Sequence, residues 1–104
     1  MVLTYFDAYR NIQPMREGLF RALGDPTRRR ILELLAQRDA TAGEIAERFP
    51  IGFSSVSHHL SVLKQAGLVK VTREGQHMRY ELNTTVFQEA VQYLNKLFSG
   101  GKRA

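Results

Sequence analysis

The sequence predicts one small, mainly α-helical domain that contains a helix-turn-helix and a single β-hairpin. The chain has 104 residues, of which 43% are hydrophobic, which suits one folded core and leaves no room for two. Apolar residues recur at helical spacing along most of the chain and alternate strictly only between residues 69 and 82. A short helix, a tight break and a longer helix follow one another between residues 41 and 67.

The amino-terminal part of the chain predicts two helical segments. Residues 1–17 are interpreted as an N-terminal extension, in which Leu3, Phe6 and Tyr9 recur at helical spacing until Pro14 interrupts them. A second amphipathic segment follows and ends at Gly24. The next helix is predicted to begin with Asp25 as its N-cap and a proline at its first position. Its three arginines, residues 28–30, are expected to form a solvated face, with direct DNA contact as the alternative.

The two helices of the helix-turn-helix have recognisable ends. Thr41 and Glu44 form the T-x-x-E pattern of a capping box, which predicts the start of a short helix. The sequence PIG breaks that helix, and the next runs from about Phe53 to Ala66, with Gly67 closing it.

The spacing of apolar residues then changes from helical to alternating. Val69 and Val71 alternate with polar residues, as do the apolar residues of the following run, and a Glu-Gly pair at 74–75 supplies the turn. A last amphipathic helix is expected from Thr84 to Phe98, followed by a flexible tail over residues 99–104.

The helix that begins at Phe53 has an unusual polar face. On a helical wheel its apolar residues fall together, whereas Ser54, Ser57 and His58 point the other way. Small polar side chains allow a helix to lie deep in a groove and to reach phosphates and base edges. His59 lies at the boundary of the two faces, so that both a structural role and a phosphate contact stay open.

Composition narrows the classes of function. Fifteen Lys and Arg residues against ten Asp and Glu give a net charge of +5, which favours a polyanionic partner. The chain has no cysteine, and this composition excludes thiolate metal sites and fits a reducing cytoplasm. We find no secretory leader, no apolar run long enough for a membrane span and no hydrolase or phosphate-loop motif, so we expect a cytoplasmic protein that is not an enzyme.

These residues together carry a resemblance to a known family. The segments ALGDPTRRRILELL, TAGEIAERF and SSVSHHLSVLKQAGLVKVTREGQHMRYELN resemble, in order and spacing, the ArsR family of bacterial repressors. The resemblance covers residues 18–98 and is greatest to the metal-independent autorepressor branch. It implies a winged helix-turn-helix with about five helices and a two-stranded wing over residues 69–82.

The resemblance also implies a homodimer that binds double-stranded DNA and represses transcription from a palindromic operator. The residues expected in the major groove are Ser54, Ser55, Ser57 and His58. Further DNA contacts are expected from the helix start at Thr41 and from the wing residues Arg73, His77 and Arg79. Apolar helices at both chain ends form the expected dimer interface, through Phe6, Tyr9, Leu19, Phe20, Val91, Leu94 and Phe98. The alternative is that both helices complete the core of a single chain.

Several departures and alternatives accompany this hypothesis. The cysteine pair and the Asp/His sets through which family members sense metals are missing, so we expect no metal site and no cofactor. Phe53 stands where many relatives have a polar residue, and either packs on the preceding helix or contacts a thymine methyl group. The alternative functions are a protein-interaction module, and a repressor that responds to an unidentified small ligand or partner protein.

Overall fold

The computed structural model describes residues 18–103, with side chains described as far as residue 100. The predictions for the N-terminal extension, including Phe6 and Tyr9, therefore lie outside the described residues. Within the described range, five helices and three strands follow in the order α1 (described over residues 18–23), α2 (Pro26–Gln37), β1 (Ala40–Thr41), α3 (Ala42–Glu47), α4 (Phe53–Gln65), β2 (Val69–Glu74), β3 (His77–Leu82) and α5 (Thr84–Arg103). This confirms the mainly α-helical fold with a helix-turn-helix and a wing.

The start of α2 and the end of α4 lie where the local sequence predicts them. Asp25 caps α2, its Oδ2 accepting a hydrogen bond of 3.0 Å from the backbone N–H of Arg28. At the end of α4, the N–H of Gly67 donates to the carbonyl of Lys64 and that of Leu68 to the carbonyl of Leu63. Gly67 has φ +78°, in the left-handed region that this type of helix end requires and that glycine adopts without strain.

The wing contains one strand more than predicted. The strand order is β1-β3-β2 with antiparallel pairing, and β1 lies opposite Tyr80 and Arg79 of β3. A strand of two residues is too short to show an alternating pattern, which explains why the sequence predicts only the hairpin. Because Thr41 both ends β1 and caps α3, this third strand attaches the wing directly to the helix-turn-helix.

The core is formed where α2, α3 and α4 meet the base of the wing. Its largest fully buried side chains are Ile31, Ile45, Val56, Leu60, Leu63 and Leu68. Leu19 also belongs to it, with 5% of its surface exposed. This corrects the assignment of Leu19 to the dimer interface, since the chain's own core already covers the side chain.

α5 packs on this core only through its first turns. Val86 is buried, and Phe87 and Ala90 are packed against the core, whereas most apolar side chains farther along are exposed. The helix continues through Arg103, beyond the predicted end at Phe98 and into the segment for which a flexible tail is predicted. A formed helix gains one backbone hydrogen bond for each residue added, and no proline stops it here.

Candidate nucleic-acid interface

The outward face of α4 consists of exposed polar side chains. Ser54, Ser55, Ser57 and His58 are all exposed, while the apolar side of the same helix is fully buried in the core. Ser61 and Gln65 continue the exposed polar surface toward the end of the helix. The structure thus brings the four residues predicted for the major groove together on the first two turns of one helix.

The first residue of α4 is an exception in this polar surface. Phe53 is 56% exposed, and Ile51, just before the helix, is 37% exposed. Packing on the preceding helix therefore does not bury Phe53. Gly52 caps the helix through its extended backbone and has no side chain to occupy the space in front of the helix end.

The start of α3 is held by the predicted capping box. The N–H of Glu44 donates to the Thr41 hydroxyl oxygen over 3.2 Å, and the N–H of Thr41 donates to Glu44 Oε1 over 2.8 Å. This second bond holds the pKa of the Glu44 carboxyl below its ordinary value. The Thr41 hydroxyl contributes to the same lowering of the pKa through a side-chain hydrogen bond to the Glu44 carboxylate.

The strand register of the wing places its three predicted DNA-contact residues on two different faces. Residues that face each other in an antiparallel pair share a face, so His77 and Arg79 lie on the face of Glu74 and Thr72. Arg73 lies opposite Met78, on the other face, and its Nε donates to the carbonyl of Gly75 over 3.2 Å. The structure therefore brings His77 and Arg79 together but not Arg73.

Arg79 is paired within the wing. Its Nε donates to Glu74 Oε1 over 2.9 Å, and this bond raises the pKa of the Arg79 guanidinium. Both side chains are at the surface, with 36% and 52% of their areas exposed. A phosphate that binds Arg79 has to compete with this carboxylate.

Arg28 and His59 form a contact that the sequence does not predict. Arg28 Nε donates to the carbonyl of Ala22 over 2.8 Å, and its terminal nitrogens lie 3.1 Å from the carbonyl of Arg21 and 3.3 Å from His59 Nδ1. His59 Nδ1 is also 3.8 Å from Asp25 Oδ2, and the His59 side chain is only 17% exposed. Arg28 thus links the end of α1 to α4, and the solvated role expected for it is wrong.

Arg29 joins the same helix end by donating to the carbonyl of Leu23 over 2.7 Å. The last carbonyls of a helix lack partners within the helix, and arginine side chains satisfy them here. Backbone carbonyls carry no sequence signature, so only the position of two arginines shortly after the end of α1 could have suggested this contact.

Two features are absent from the described residues. These residues contain no group of three or more His, Cys, Asp or Glu side chains that could hold a metal ion. No helix in the described part of the chain is both long and apolar enough to cross a bilayer.

Known proteins resemble this chain in both sequence and structure. The sequence model of the bacterial regulatory protein, arsR family, matches residues 25–71. The transcriptional repressor SdpR of Bacillus subtilis is 48% identical over 84 residues, which cover 81% of this chain and 93% of SdpR. The chain belongs to the arsR family of bacterial regulatory proteins.

Solved structures of other regulators share the fold of this arsR-family protein. An ArsR-like transcriptional regulator from Rhodococcus sp. RHA1 superimposes with a TM-score of 0.80 at 28% identity, over 86% of this chain and 85% of that chain. The homodimeric winged helix-turn-helix DNA-binding domain of a possible ArsR-family regulator from Mycobacterium bovis gives 0.70 at 28% identity, over 86% of each chain.

Proposed function

We propose that this arsR-family protein is a homodimeric transcriptional repressor whose α4 helix enters the major groove of a palindromic operator. The observation that carries the proposal is the division of α4 into a fully buried apolar side and an exposed side of small polar residues. Hydrogen-bonding side chains read base edges in the major groove, and the partial positive charge of the helix start attracts phosphate. The repressing role rests on the similarity to SdpR.

The individual contacts follow from where the side chains lie. Ser54, Ser55, Ser57 and His58 contact bases and phosphates in the groove, and Thr41 presents the start of α3 to the backbone. His77 and Arg79 contact the flanking phosphates from one face of the wing. Arg73 is retained as a contact near the tip, where its side chain is exposed.

The exposed apolar side of α5 supports the proposed dimer. Val91, Leu94 and Phe98 lie on one side of this helix and are 55%, 51% and 69% exposed. Phe20 of α1 is 43% exposed, and its ring centre is 6.1 Å from that of Tyr93. Apolar helix surface of this kind marks a contact with another chain, and the Mycobacterium bovis neighbour is described as homodimeric. In the dimer, two α4 helices would reach half-sites about 34 Å apart.

In this function the protein is a cytoplasmic DNA-binding protein rather than an enzyme, and it acts without a metal. The chain's positive charge and its family both favour a nucleic-acid partner inside the cell. Metal independence is proposed because the sequence has no cysteine and so cannot form a thiolate metal site.

The first experiment selects duplexes from a randomised DNA pool with the full 104-residue chain. Fluorescence anisotropy then compares the selected duplex with a scrambled one, at two salt concentrations and with either zinc or a chelator. We expect an inverted repeat that binds at least about a thousandfold more tightly than the scrambled duplex, with strong salt dependence and no effect of zinc. Equal and weak binding of both duplexes would contradict the proposal, and a change on adding zinc would contradict metal independence.

Single variants test the recognition face. Ser57→Ala and His58→Ala are expected to weaken binding of the selected duplex by about tenfold or more while leaving the scrambled duplex unchanged. Ser99→Ala, which removes an exposed hydroxyl from α5, serves as the control. Equal effects of all three variants would contradict the assignment of α4 to the groove.

A further inference from the structure

Phe53 is an aromatic side chain that the fold leaves largely uncovered. It occupies the first position of α4, and 56% of its surface is exposed although α2, α3 and β2 all pack against this helix. The exposed apolar residues assigned to the dimer belong to other elements, α1 and α5. Neither the core nor the proposed dimer interface therefore accounts for Phe53.

Phe53 lies at the edge of the polar surface of α4, where that surface meets the buried side of the helix. Ser54 is the next residue, and Ser57 lies one turn along the same side of the helix, since residues four apart are neighbours on a helix surface. Residues at the start of a recognition helix are those that contact base edges. Phe53 is thus placed where the proposed interface is deepest.

The chemistry of the major groove offers one partner for such a side chain. The base edges present hydrogen-bond donors and acceptors, and the only apolar group among them is the 5-methyl group of thymine. A phenyl ring cannot exchange hydrogen bonds with the other groups, and it would remove water from them without compensation.

We propose that Phe53 is a specificity-determining residue that contacts a thymine methyl group in each operator half-site. This inference rests on the proposed function, because it requires α4 to lie in the major groove. The proposed partner of the exposed ring is DNA. The alternative, that the ring binds a second protein, is distinguished by the experiment below.

The experiment replaces thymine by uracil, which removes the methyl group alone. In the selected operator, each thymine is replaced in turn, and the affinity of the wild-type chain is compared with that of Phe53→Ala. We expect one thymine position per half-site at which uracil weakens wild-type binding by about fourfold, the value of burying one methyl-sized group. Replacing it in both half-sites should weaken binding by roughly fifteenfold, since the two effects multiply.

Phe53→Ala should bind the thymine operator as weakly as the wild-type chain binds the uracil operator, and it should not distinguish the two. Ile51→Ala removes a neighbouring exposed apolar side chain outside the helix and should keep the full response to uracil. Circular dichroism and affinity for a scrambled duplex should be unchanged in both variants.

The outcomes separate this inference from the proposed function. If the selected operator binds tightly but uracil at every thymine position affects wild type and Phe53→Ala equally, the proposed thymine contact is overturned. The repressor function then still stands. If Phe53→Ala weakens all duplexes equally, the ring has a role other than sequence recognition and the inference is overturned. If selection enriches no sequence, the proposed function falls and the inference with it.

Discussion

At the scale of single residues, the contact between Arg28 and His59 fixes α4 relative to the end of α1. One guanidinium reaches two backbone carbonyls of α1 and the imidazole of α4, while Asp25 caps the helix that carries it. Three acceptors at different angles need the planar fork of arginine, which lysine cannot reproduce. The Arg28 contact therefore adds to the packing of α2, α3 and β2 that holds the proposed recognition helix in place.

We predict that Arg28→Ala lowers the free energy of unfolding by about 2 kcal/mol, because several hydrogen bonds at partly buried groups are lost together. Arg28→Lys should recover less than half of this loss. Arg30→Ala, which removes an exposed arginine from the same helix, is the control and should change stability by no more than about 0.5 kcal/mol. Urea denaturation measures all three, and equal losses for Arg28→Ala and Arg30→Ala would show that the contact contributes nothing.

The same residues show which features the sequence could predict. Asp25 as a cap and the Thr41–Glu44 capping box are local patterns of three or four residues, and both are present. Arg28 and His59 are 31 positions apart, and their meeting depends on the packing of α2 against α4. No pattern within one helix contains that information, so the sequence favours a solvated face for the arginines, with DNA contact as the alternative.

At the scale of elements, the wing is a short sheet with an exposed ion pair, Arg79–Glu74, on its proposed DNA face. The hairpin was predictable from alternation and from Gly75, which has φ +61° in the turn. The third strand and the separation of Arg73 from Arg79 were not, because both depend on register. The register also places Glu74 beside Arg79, where its carboxylate competes with phosphate.

We predict that Glu74→Gln strengthens DNA binding by about two- to fivefold, the range expected when an exposed ion pair no longer holds the arginine. The effect should be similar for selected and scrambled duplexes, because phosphate contacts carry no sequence information. Glu33→Gln removes the same charge from an exposed position of α2 and is the control. Anisotropy titration measures both, and an equal gain in the two variants would attribute the effect to net charge rather than to Arg79.

At the scale of the whole molecule, the described residues form two uncovered surfaces of opposite character. One is the polar face of α4, and the other is the apolar side of α5 beyond Ala90. The sequence predicted both surfaces from helical periodicity. It could not predict that Leu19 would be taken into the core, because Leu19 and Phe20 are adjacent and only packing decides which of them is covered. A net charge of +5 on each chain repels a second copy, so the apolar surface must outweigh that repulsion in the dimer.

We predict that Leu94→Glu converts the protein from a dimer to a monomer of 11.9 kDa without unfolding it. Leu94 is 51% exposed in the single chain, so a carboxylate there is solvated in the monomer but would be buried without a partner in the dimer. Because the two half-sites would then be bound separately, affinity for the selected palindrome should fall by at least about a hundredfold. Gln92→Glu adds the same charge on the polar side of α5 and should leave both properties intact. Sedimentation equilibrium and anisotropy measure these changes, and a Leu94→Glu variant that stays dimeric would place the dimer contact on a different surface.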